Sequence, residues 1–100
     1  AYNYVAKQVL FGARVPNTKG HQQCGDWLIH TLKQFSDTVF VQAGEVKAFD
    51  NTSLKFRNII AAFNPQNNKR IILAAHWDTR PFSDQDTDQS KWRTPIDGAN

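Results

Sequence analysis

The sequence predicts an α/β fold. Two segments with helical spacing come first, a segment of period-two alternation and a second strand segment follow, and then comes a short continuous apolar run. The composition suits a globular chain: 40% hydrophobic and 21% charged residues over 100 positions, above the range in which chains stay disordered. A chain of this length fits one small domain or part of a larger one, with a modest core.

Tyr2, Val5, Ala6, Val9 and Leu10 recur at helical intervals, so the spacing predicts a first amphipathic helix that stops near Gly12. Residues 11–19 read as a loop punctuated by Gly12, Pro16 and Asn17. A second helix is expected over 21–35, with Cys24, Trp27, Leu28, Leu32 and Phe35 on its apolar stripe. The pattern then changes to period two. Val39, Val41 and Ala43 share one face, and Gly44 suggests a bulge or bend before Val46 and Ala48. Asp50 to Ser53 is turn chemistry, residues 54–63 form a second strand, and Asn64 to Asn68 a second turn. Ile71-Ile72-Leu73-Ala74-Ala75 reads as a third strand, buried on both faces. Three strands joined by short turns suggest antiparallel neighbours.

Charge excludes some functions. The net charge is +3, and the twelve Lys and Arg are scattered, so no basic stripe points to nucleic acid. No apolar run approaches the ~20 residues of a membrane span. No signal-peptide pattern is present in a chain that starts at Ala1, which says little about destination. Cys24 is the only cysteine. No disulfide can close within the chain, and its place on an apolar face suits a core residue better than a nucleophile.

The acids are less even. Asp78, Asp84, Asp86, Asp88 and Asp97 are five of nine, all in the last quarter. The stretch from Trp77 to Asn100 has no periodicity, and loops beyond ~12–15 residues are commonly functional or disordered. It follows the most apolar segment, and α/β sheets place their sites at strand ends. His76 and Asp78 stand out there. In extended chain, residues two apart project from one face, and a metal-bound His commonly passes its other N–H to such a carboxylate. A bare His-x-Asp also closes strand ends that carry no site. His21 and His30, nine positions apart on the second helix, share a face poorly and read as surface residues. Asp84 to Asp88 resembles a calcium loop only briefly. Gln89 stands where the loop needs Gly and Pro95 where it needs Glu. The metalloprotease, nucleophile-elbow, phosphate-loop, Cys-x-x-Cys and dinucleotide signatures are absent.

Several stretches together resemble one family. They are Phe11-Gly12-Ala13-Arg14-Val15-Pro16-Asn17-Thr18, Asn58-Ile59-Ile60-Ala61, Pro65, the run from Arg70 to Phe82, and Pro95-Ile96-Asp97-Gly98-Ala99-Asn100. In order and over nearly the whole chain, they resemble the zinc aminopeptidases and glutaminyl cyclases, most of all the animal-type cyclases of bacteria. His76-Trp77-Asp78-Thr79-Arg80-Pro81-Phe82 is the specific part.

The resemblance implies a zinc exopeptidase-like fold, three-layered α/β/α with a mixed twisted sheet. This chain would hold its first two helices and first three strands, as the N-terminal part (1–100) of a single catalytic domain. It implies zinc as cofactor and peptide or protein N-termini as substrate. In the peptidase branch His76 would bind one of two zincs, with Asp78 behind it. In the cyclase branch the pair persists, one zinc is held, and His76 is not its ligand. Asp78, Trp77, Gly98, Ala99 and Asn100 would line the site's rim. The zinc-binding Asp, catalytic Glu and final His would lie beyond Asn100, so the 100-residue chain would contain no catalytic residue and be inactive alone. The function implied first is conversion of N-terminal glutamine to pyroglutamate with release of ammonia. A two-zinc aminopeptidase and a non-catalytic peptide-binding relative are the alternatives. The implied location is the periplasm, the cell envelope or the outside.

Overall fold

The computed structural model describes residues 1–83 and 87–96. The expected rim residues Gly98, Ala99 and Asn100 lie outside the described residues, as do Asp84, Asp86 and Asp97. The chain divides into two compact units: residues 1–24 with 76–100, and residues 25–75.

In the first unit, α1 (Tyr2–Leu10) ends at Gly12. Its φ of +76° takes the left-handed conformation that favours glycine, and its N–H returns to the Val9 carbonyl at 2.9 Å. Of the apolar residues that predicted this helix all but Ala6 are exposed, Tyr2 and Leu10 each about four-fifths. α2 (Lys19–Phe35) begins in this unit. Thr18 caps it, its Oγ1 accepting from the His21 N–H at 3.3 Å. A side chain on Gly20 would begin 2.8 Å from the carbonyl oxygens of both Phe11 and Ala13, so only glycine lets the loop lie against this turn. Further on, Asp88 accepts from the N–H and hydroxyl of Ser90 and starts a short 3-10 helix, Gln89–Lys91, within the stretch that shows no periodicity in sequence.

The second unit holds the rest of α2 and an antiparallel pair, β1 (Thr38–Lys47) and β2 (Ser53–Ala62). The turn between them uses Asn51 at φ +66° and Asp50, whose carboxylate accepts from the Thr52 N–H at 3.1 Å. Hydrogen bonding from the Thr52 side chain, and next from its N–H, holds the Asp50 carboxyl below its ordinary range. Register runs unbroken from Thr38 opposite Ala62 to Lys47 opposite Ser53. The bulge expected at Gly44 is therefore absent. Gly44 faces Phe56, and the Phe56 ring fills the place of the missing side chain. Arg57 reaches α2 and pairs with Asp26 at 2.7 Å. The second turn carries Asn64 at φ +47°, with its N–H donated to Asp37 at 2.6 Å.

The expected third strand does not form here. Residues 70–75 carry no strand assignment, and the described sheet has two strands. Ile71, Ile72 and Leu73 are about nine-tenths exposed. A strand buried on both faces needs neighbours for its backbone bonds and cover for its side chains, and no described segment supplies either. The α/β character stands, with two helices and an antiparallel pair.

Candidate functional site around His76 and Asp78

His76 and Asp78 lie side by side, although no strand carries them. The His76 Nδ1 is 3.0 Å from the Asp78 backbone carbonyl and 3.4 Å from the Asp78 carboxylate. The carbonyl contact has hydrogen-bond length, and the carboxylate adds a longer electrostatic one. With Nδ1 donating to these oxygens, Nε2 keeps the lone pair. Both side chains are about half exposed. Asp78 thus meets His76 through its backbone as well as its side chain, where the sequence suggested the carboxylate alone.

The residue between them is anchored differently. Trp77 stacks on His21, with ring centroids 4.3 Å apart and planes 19° from parallel. His21 is 7% exposed, which corrects its reading as a surface residue. The partner that buries it, Trp77, lies in a distant segment and not on its own helix. His30 is exposed, with its Nε2 3.1 Å from the Gln34 side-chain amide. Cys24 is fully buried, as its place on the apolar stripe predicts.

Beneath the pair sits Arg14, 2% exposed. Its Nε donates to the Trp77 carbonyl at 2.9 Å. Its Nη1 donates to the carbonyls of Gln8 at 3.0 Å and Gly12 at 2.9 Å. Its backbone N–H donates to Thr79 Oγ1 at 2.8 Å, and the Thr79 N–H returns to the Arg14 carbonyl at 3.2 Å. Thr79 is 5% exposed. The early loop and the His76–Phe82 run, noticed in sequence as separate stretches, meet here. Arg14 belongs to no catalytic or metal-binding pattern in the sequence. The available signal was a basic residue shortly after a helix, where the last carbonyls lack partners and the dipole favours a cation.

Among the described residues no three metal-binding side chains gather. His76 offers one imidazole, and a catalytic zinc takes about three protein ligands, so the described residues do not by themselves hold one.

No protein-family model matches the chain. Solved structures do. A zinc-dependent exopeptidase from Parabacteroides distasonis is 55% identical, with 96% of this chain and 33% of that one covered at a TM-score of 0.89. A glutaminyl cyclase from Bacteroides thetaiotaomicron, bound to N-acetylhistamine, is 52% identical, with 99% and 34% covered at a TM-score of 0.92. The chain belongs to the zinc exopeptidase and glutaminyl cyclase family. A leucine aminopeptidase precursor, also from Bacteroides thetaiotaomicron, is 52% identical over 99% of this chain and 34% of its own, at a TM-score of 0.92. The chain spans about one third of the length of each of these relatives.

Proposed function

We propose that the whole protein is a glutaminyl-peptide cyclotransferase. The α-amino nitrogen of an N-terminal glutamine attacks the side-chain amide carbon of the same residue. A new C–N bond closes the five-membered lactam, the bond to the amide nitrogen breaks, and a proton passes to that nitrogen as it leaves as ammonia. The observation that carries this reading is the 52% identity to a glutaminyl cyclase across 99% of the chain. Residues 1–100 are then the N-terminal part of one zinc-dependent catalytic domain, with most of the zinc's ligands supplied elsewhere in the protein. His76, Trp77 and Asp78 belong to the rim of its active site, together with Gly98, Ala99 and Asn100. The geometry of His76 and Asp78 suits that role: a half-exposed imidazole with its Nδ1 engaged by Asp78.

The second reading is a two-zinc aminopeptidase, favoured by the relatives named exopeptidase and leucine aminopeptidase. In that case His76 is a metal ligand through Nε2. The relative named a precursor supports export to the periplasm or beyond, and fractionation of cells expressing the whole gene tests it.

Mass spectrometry of glutaminyl and leucyl peptides incubated with the whole, zinc-loaded protein separates the readings. Loss of ammonia from the glutaminyl peptide is the expected result. Release of free leucine with the glutaminyl peptide untouched replaces the cyclase by the peptidase. Turnover of neither leaves a peptide-binding relative.

A further inference from the structure

A buried guanidinium is costly unless its donors are used. Among the described residues no carboxylate pairs with Arg14. Carbonyl oxygens satisfy it instead, from three places: Gln8 in the last turn of α1, Gly12 just after it, and Trp77. The backbone of Arg14 meanwhile exchanges two bonds with Thr79. These bonds bracket Asp78, one on the residue before it and two on the residue after. The bracketed stretch includes the carbonyl that takes the His76 Nδ1.

We infer that Arg14 is a positioning residue: it fixes the backbone path from Trp77 to Thr79, so that the His76 imidazole meets Asp78 in one orientation. The inference rests on the reading of His76 and Asp78 as part of the active-site rim. Arginine suits the task because its planar fork serves acceptors in several directions at once. A lysine ammonium is a point donor at the end of a flexible stem and reaches fewer of them. His21 supports the same segment from one side through the Trp77 ring.

The test uses the whole protein with Arg14→Met, Arg14→Lys and Thr79→Val. The readouts are kcat and KM on a glutaminyl peptide, zinc content, near-ultraviolet circular dichroism, and the ¹⁵N resonances of the His76 ring, assigned with His76→Ala. In folded Arg14→Met with full zinc content, kcat falls about tenfold or more while KM stays within about twofold. The His76 Nδ1 resonance moves away from its hydrogen-bonded position. Arg14→Lys recovers part of both, and Thr79→Val shows a smaller change in the same direction. Arg14→Met that is folded, with kcat and ring resonances unchanged, overturns the inference. If Arg14→Met does not fold, unchanged kcat and ring resonances in folded Thr79→Val overturn it instead. The ring resonances keep the two readings apart. A protein that turns over no glutaminyl peptide loses the cyclase assignment, while its His76 resonances still decide whether Arg14 sets the pair.

Discussion

The Phe56 ring lies where a side chain on Gly44 would begin: an added Cβ would come within 2.9 Å of two of its carbons. The two residues face each other across the β1–β2 ladder, so the aromatic ring covers the gap that glycine leaves. Gly44→Ala is expected to cost about 1–3 kcal/mol through overpacking. Phe56→Leu in the same chain should relieve part of that cost. A double-mutant cycle by urea unfolding checks it, and strictly additive losses would show that the ring and the glycine do not depend on each other.

Gly20→Ala sets two effects against each other. Alanine in place of a helical glycine gains about 1 kcal/mol of propensity. The new methyl, however, would sit 2.8 Å from two backbone carbonyl oxygens, which cannot swing aside as a side chain can. The clash is expected to win, with a net loss of about 1–3 kcal/mol and a lower thermal midpoint. A midpoint raised by the substitution would mean the 11–13 loop is not held against α2.

His76→Ala distinguishes the two enzyme readings through metal content. In the cyclase the variant keeps the zinc content of the parent, while the rate falls because the rim is disturbed. In the two-zinc peptidase the variant loses one of two ions. Metal analysis of purified parent and variant decides, and a fall from two zincs to one rules out the cyclase.

The hydroxyl and N–H of Ser90 hold the Asp88 carboxyl below its ordinary value of 3.8. A lowered folded-state pKa stabilises the fold above the ordinary carboxylate range, and this contribution is lost as pH falls through the lowered value. Carbon-detected titration should place the Asp88 midpoint below 3.8, and Ser90→Ala should bring it back toward that value. A midpoint that Ser90→Ala leaves in place would remove the hydroxyl as the cause.

The elements held by local chemistry were legible in the sequence. α1 was readable from its spacing and from Gly12, β1 from alternation, β2 from the Asp50–Asn51 turn before it, and Cys24 from its place on the α2 stripe. What escaped depended on distant partners. The apolar run at Ile71–Leu73 has the composition of a central strand, but composition cannot supply neighbours, and here it lies exposed. His21 looked polar and solitary until Trp77 stacked on it. The adjacency of His76 and Asp78 was readable from spacing two, because extended chain puts such residues on one side even without a ladder. Arg14 was the hardest, since its acceptors are backbone carbonyls, and every residue type has one.

Arg14 also has a place in time. Its partners Trp77 and Thr79 come more than sixty residues later. At ~5–20 residues per second, a ribosome needs roughly three to thirteen seconds to make that stretch. Through that interval the guanidinium is solvated, while the β1–β2 hairpin, whose strands are adjacent in sequence, can already close. The segment around Arg14 is thus made before the residues that hold it. An arrest of translation before Thr79 would leave a nascent chain with a formed hairpin and an unanchored α1, which limited proteolysis of stalled ribosome complexes would cut between Phe11 and Lys19.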